Sequence, residues 1–315
     1  MNPMRGTPKM KLRGVAALSA LALGLAACGS GTEAGGGGGD ITIGLAVSTL
    51  DNPYFVALKQ GAEKAAAELG VRLTVVDAQN DATNQVNQVQ TFTTQGVRAI
   101  IINPVDSKQA GPAAKAAENA TIPLVAVDRS VDDGKVASEV ASDNVQGGTL
   151  AAIELGRATT GEVVHLQGIP GASASRDRGR GFEQGLNSGG IKVVASQPAD
   201  FNRAKGLDVM TNLAQANPGI KGVFADNDEM ALGAIKALGD RAGKDVQVVG
   251  FDGTPDGLKA IEEGTLAATI AQQPDVLGRK AVEQAVKAAK KEPVQEVVDV
   301  EVKVVTKKNL AEFKK

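Results

Sequence analysis

VRAIIINPVDSKQAGPAAKAAENATIPLVAVDRS, residues 97–130, is the unit from which the rest of the chain can be read. Two short runs rich in Val and Ile, VRAIIIN and IPLVAVD, flank an Ala-rich segment with helical spacing. A strand, a helix and a strand in that order put the two strands parallel, with the helix across one face. Each run stops on polar residues, Asn103 in the first and Asp128 with Arg129 in the second.

The same alternation extends in both directions. Upstream lie ITIGLAV, a helical segment, VRLTVVD and another helical segment; downstream, after the shorter run KVASEVAS, the cycle restarts beyond Asp143. The second cycle reads EVVHLQG, IKVVASQ, IKGVFAD, VQVVGFD and LAATIAQ, each separated from the next by an amphipathic segment. A last helix from about Pro274 and the run VVDVEVKVVT complete the pattern. Each cycle has enough strands for its own open sheet, which predicts an α/β protein of two similar doubly wound parallel-sheet lobes.

The N-terminus reads differently. Arg5, Lys9, Lys11 and Arg13 precede the apolar run VAALSALALGLAA, too short for an ordinary membrane span and typical of an export signal over residues 1–27. Cys28 is the only cysteine, so no internal disulfide can form. The tetrapeptide LAAC resembles a bacterial lipobox, which implies lipidation of Cys28 and membrane attachment through that lipid alone. GSGTEAGGGGGD then follows, and its glycine content predicts a flexible tether over residues 28–39. Removing the four leader cations takes the formal charge from −2 to about −6, which argues against nucleic acid as a partner.

Ligands of such sheets sit beyond the carboxyl ends of the strands. In the first cycle those positions hold Ser48, Asn52, Tyr54, Phe55, Asn103, Asp128 and Arg129; in the second they hold Arg176, Phe201, Asn227, Phe251, Asp252 and Gln272. Any one Asn or Asp there could be a turn former or helix cap. Their recurrence in both cycles points to a shared cleft. Carboxylates that accept, guanidiniums and amides that donate, and rings that cover C–H faces suit a small polyhydroxylated ligand such as a sugar. The aromatic usage supports this, because a chain with no Trp, one Tyr and seven Phe places Tyr54 and Phe55 side by side on a loop.

NPYFVALK, INPVDS, VAVDRS, ASDNVQGG, QPADFNR, NDEMALGA, VVGFDGTPDG and LAATIAQQPD, in this order and across nearly the whole mature chain, resemble the ribose-binding proteins of bacterial ABC importers. The resemblance implies a type I periplasmic binding protein fold with a three-segment hinge. It implies an N-terminal lobe of 40–142 plus 273–300 and a C-terminal lobe of 143–272 plus 301–315. Tyr54, Phe55 and Phe201 would sandwich a monosaccharide, D-ribose above all, and the polar residues named above would bond its oxygens, with Ser48 and Phe251 beside them. The resemblance implies an exported monomer that hands its sugar to a permease with a cytoplasmic ATPase, and a chemoreceptor as a further partner. Tyr54 departs from the family, which usually has Phe there, so allose, another pentose or an autoinducer-2-like furanose remain alternatives.

Other functions lack their parts. No strand-to-helix turn carries GxGxxG or GxxxxGK[ST], and GASAS after Pro170 lacks the last glycine of a nucleophile elbow. His165 has no evident nucleophile beside it, which predicts a satisfied strand residue, and Phe92, Phe182 and Phe224 fall at core positions. No enzyme activity, cofactor or metal is expected. A sugar-sensing repressor would need a DNA-binding headpiece where this chain has a leader and a tether.

Overall fold

The computed structural model describes residues 41–186 and 190–314. The expected leader, Cys28 and the tether lie outside the described residues. The first half contains β1 (Thr42–Val47), α1 (Pro53–Glu68), β2 (Arg72–Asp77), α2 (Ala82–Gln95), β3 (Ala99–Ile102), α3 (Gly111–Asn119), β4 (Leu124–Val127) and β5 (Ser138–Ser142). The second contains α4 (Asn144–Ala158), β6 (Gly161–Gln167), α5 (Ser173–Gly185), β7 (Ile191–Pro198), α6 (Arg203–Ala216), β8 (Gly222–Ala225), α7 (Asp228–Leu238), β9 (Gln247–Asp252), α8 (Pro255–Glu263) and β10 (Ala268–Ala271). α9 (Pro274–Ala289), β11 (Val297–Val300) and β12 (Lys303–Thr306) end the fold.

The strands form two six-stranded sheets of matching order, β11-β5-β4-β3-β1-β2 and β12-β10-β9-β8-β6-β7. In each, the first strand of the cycle lies inside the sheet, with its successor on one side and the third strand on the other. That reversal opens a crevice at the carboxyl edge. All four residues of β3 and of β4 are buried, as strands with helices on both faces must be.

The chain passes between the sheets three times: after β5, after β10 and between β11 and β12. The last crossing adds one antiparallel edge to sheets that are otherwise parallel. β11 runs parallel to β5, but β12 runs antiparallel to β10. Only Glu301 and Val302 join them. A strand that climbs to the cleft in one lobe and continues straight into the other must descend there, against the direction of strands that also climb to the cleft.

Helix packing sets where side chains of the site point. α4 and α5 meet backbone to backbone: a Cβ at Gly148 would lie 2.1 Å from the Arg178 carbonyl oxygen, and one at Gly181 2.0 Å from that of Val145. Glycine at both positions lets α5 sit close enough to bring Arg178 to the cleft. Phe182 and Phe224 stack at 4.5 Å beneath it, and Phe92 is buried in the first lobe.

Candidate functional site: an inter-lobe cleft

Between the carboxyl edges lies a narrow cleft, lined by Asn52, Tyr54, Phe55, Asp128 and Arg129 from one lobe and Ala174, Arg178, Phe201, Asn227, Asp252 and Gln272 from the other side. The first lobe presents its rings from the start of α1. Asn52 caps that helix, its Oδ1 accepting from Tyr54 N–H at 2.9 Å, and Pro53 occupies the first turn. Asn52 therefore caps α1 and also lines the cleft. Tyr54 and Phe55 meet edge to face with centroids 5.1 Å apart. The Tyr54 hydroxyl donates to Asp128 Oδ1 at 2.7 Å and has Gln272 Oε1 at 3.1 Å. Burial first, and then the Asp128 carboxylate, push the Tyr54 phenol well above its ordinary pKa.

Asp128 follows β4 at φ 68°, a left-handed turn that aims the next residue inward. Its Oδ2 accepts from Asn103 Nδ2 at 3.1 Å. Arg129 is buried; its Nη1 donates to the carbonyls of Pro104 (2.8 Å) and Val105 (3.3 Å), and its Nε has no hydrogen-bond partner. The guanidinium carbon lies 5.3 Å from the Phe55 ring and 5.2 Å from the Phe201 ring, so it stands between rings of opposite lobes. Burial lowers the Arg129 pKa, with Asp128 acting against that.

The second lobe answers with the same types. Phe201 sits at φ 58°, and its ring lies where a Cβ at Gly168 would come within 2.1 Å. Arg178 lies with its guanidinium carbon 3.8 Å from the Phe251 ring centroid. It donates from Nε to Asn144 Oδ1 at 2.9 Å and from Nη1 to the Asp226 carbonyl at 2.6 Å. Asn227 caps α7 through Met230 N–H and donates to the Phe201 carbonyl. Asp252 accepts from Gln272 Nε2 at 2.7 Å and stands 3.8 Å from Arg178 Nη1. Burial raises the Asp252 pKa well above the carboxylate range, and Arg178 only partly offsets it.

Four of the sequence-assigned residues lie elsewhere. Arg176 is a correction: it is partly exposed and forms a bidentate pair with Asp132, at 2.8 and 3.0 Å, while Arg178, two residues on, enters the cleft. Two residues on a helix turn the side chain by about 200°, so one guanidinium points out where the other points in. Ser48 and Asn103 stand behind the wall. Asn103 is consumed in bonds to Ser48 N–H, the Val127 carbonyl and Asp128, and the buried Ser48 hydroxyl has no partner. Phe251 is fully buried beneath Arg178 and does not line the cleft.

Reasoning from strand ends missed Arg178 and the groups that fix it. Its spacing from Ala174, Gly181 and Phe182 would have placed it on the buried face of α5. His165 is a satisfied strand residue, its Nε2 2.6 Å from Asp226 Oδ1, and Asp226 also accepts from Ser175 Oγ and Gly168 N–H. No group of three or more His, Cys, Asp or Glu among the described residues is placed to hold a metal. No helix among them is long and apolar enough to cross a membrane.

Residues 43–293 match the family described as periplasmic binding protein domain. The chain belongs to the periplasmic binding protein family. Within it, this periplasmic binding protein is 51% identical to the ribose import binding protein RbsB of Escherichia coli (strain K12) over 269 residues, 84% of this chain and 90% of the relative. It is 46% identical to the ribose import binding protein RbsB of Bacillus subtilis (strain 168), covering 85% of this chain and 88% of the relative. Among solved structures, an ABC transporter periplasmic solute binding protein from Actinobacillus succinogenes 130z with bound D-allose superposes with TM-score 0.81 at 35% identity, over 86% of this chain and 99% of that one. The Caulobacter myo-inositol binding protein bound to myo-inositol does so with TM-score 0.81 at 33% identity, over 87% and 96%.

Proposed function

We propose that this protein is the extracytoplasmic sugar receptor of an ABC importer, that it captures D-ribose between its lobes, and that it delivers the sugar to a permease driven by an ATPase. One observation carries this reading: each lobe brings an acidic residue, an arginine and an aromatic ring to a single cleft, Asp128, Arg129 and Phe55 facing Asp252, Arg178 and Phe201. Among the described residues, no protein acceptor reaches Nη2 of Arg129 or of Arg178. Those donors, with the carboxylate oxygens opposite, suit hydroxyls that both donate and accept. The two ribose import relatives support D-ribose over other sugars.

Capture requires contacts with both lobes, since a ligand that touches one lobe alone has no preference for the closed arrangement. In this reading Arg129, Asp128, Asp252 and Arg178 hold the hydroxyls, the rings cover the C–H faces, and no bond of the sugar is broken. Calorimetric titration of the protein from Asp40 onward with ribose, allose, xylose and galactose tests it. Ribose should bind tightest and unaltered; heat from allose alone would move the assignment to that sugar, which the allose-bound neighbour makes the second reading. Lipidation at Cys28 belongs to the same proposal. Labelled palmitate should enter the full chain and not its Cys28→Ala variant.

A further inference from the structure

Arg176 is one of a group of residues that join the lobes outside the cleft. Ser107 follows β3, and Ser130 and Asp132 follow β4; Gly171, Ser173 and Arg176 belong to the turn into α5 and its first helical turn. Ser107 N–H donates to the Gly171 carbonyl at 3.0 Å, Ser173 N–H to Ser107 Oγ at 3.0 Å, and Ser130 N–H to Ser173 Oγ at 2.8 Å. Arg176 adds its fork on Asp132, whose Oδ1 also accepts from Ser130 Oγ at 3.0 Å. Ser107 is fully buried and Ser173 nearly so. None of the five side chains lines the cleft.

We propose that Ser107, Ser130, Asp132, Ser173 and Arg176 form a latch between the lobes that sets how tightly sugar is held without touching the sugar. The inference rests on the reading of the cleft as a sugar site closed by lobe movement. Each of these bonds has its donor in one lobe and its acceptor in the other, apart from the Ser130–Asp132 bond that orients the carboxylate. They form only when the lobes meet. A contact present in the closed arrangement alone raises the closed fraction, and apparent affinity rises with that fraction for every ligand alike. Gly171 shows how close the approach is: a Cβ there would lie 1.6 Å from Asp106 Oδ2, across the same seam. Both Lys108 N–H and Gln109 N–H hold Oδ1 of that carboxylate, so it cannot swing freely away.

The test compares the parent with Arg176→Gln, Ser107→Ala and Gly171→Ala by calorimetry against ribose and allose, and by hydrogen exchange at the Ser107, Ser130 and Ser173 amides. Arg176→Gln should weaken both sugars by the same factor, about two- to fivefold for a half-exposed pair, and more at low salt than at high. Ser107→Ala and Gly171→Ala should do likewise, and all three should speed exchange at the three amides. A changed ribose-to-allose ratio in Arg176→Gln would mean that Arg176 touches the sugar, and would overturn the latch. Unchanged affinity in all three variants of a parent that binds would overturn it too. If the parent binds neither sugar, the cleft assignment fails instead; the amide exchange still judges the latch, which falls if Gly171→Ala leaves the three amides as protected as in the parent.

Discussion

The guanidinium of Arg178 lies flat enough on Phe251 to bring its carbon within 3.8 Å of the ring centroid, while its Nη1 stands 3.8 Å from Asp252 Oδ1. A buried ring thus serves as the floor on which a cleft cation rests. Lysine cannot stack or fork in this way, and would lose the bond to Asn144 as well. Arg178→Lys should therefore cost on the order of 2 kcal/mol in sugar binding, roughly thirtyfold in Kd. Calorimetry on this variant beside Arg176→Lys checks the assignment, since the latter keeps its charge opposite Asp132 and should lose far less.

Tyr54 is the residue at which the chain departs from the pattern it resembles, and its hydroxyl is committed to Asp128 with Gln272 close by. Tyr54→Phe removes the donor from a buried carboxylate oxygen, so stability should fall by about 1 kcal/mol in urea unfolding. The same change frees that oxygen for a ligand hydroxyl, and the order of affinities among ribose, allose and xylose should shift. An unchanged order would show that the hydroxyl has no part in selecting the sugar.

Asp252 illustrates the tension between stability and binding. Its folded-state pKa is raised by burial, so over the interval above its unfolded value near 4 the folded protein holds more protons than the unfolded chain. The contribution of this group to stability is therefore fully present at low pH and is lost as pH climbs through the raised value. Asp252→Asn removes that loss: the variant should melt above the parent near pH 7, with the gap closing toward pH 4, while its sugar affinity drops by about 2 to 5 kcal/mol. Melting curves across this range, paired with titrations at pH 7, would reveal either half failing.

Gly168 carries no ligand-facing group, yet a methyl there would fall 2.1 Å from the Phe201 ring. Gly168→Ala should push the ring off its seat at a cost of about 1–3 kcal/mol, with loss of binding and a retained circular dichroism spectrum. Binding at parental strength would place the ring outside the site.

The sheets were legible because each strand is a short Val- and Ile-rich run ending on a polar residue, and because the run of elements repeats. Tyr54, Phe55, Asp128, Arg129, Phe201, Asn227, Asp252 and Gln272 follow from the same rule, as they lie next to strand ends or in the turns just beyond. Arg178 does not, since it lies inside a helix and reaches the cleft only because Gly148 and Gly181 let α5 approach α4. The rule chose Arg176, nearer the strand, although the small residues of α5 mark the other face as buried. The reversed direction of β12 was illegible for a different reason: Val-rich alternation in VVDVEVKVVT is the same whether one strand or two pass through it, and only the placement of both lobes divides it.

The crossings between the lobes are stitched to one another. Asp143 N–H donates to the Val300 carbonyl at 3.3 Å, and Gln273 Nε2 donates to that of Glu301 at 2.9 Å, so all three threads are tied where they leave β5, β10 and β11. Threads bound side by side resist sliding and shear but still permit bending about a common line, in the manner of a book's spine. In the proposed reading of a cleft closed by lobe movement, such a spine selects one direction of movement before any sugar arrives and brings the facing residues back into the same register each time the lobes close.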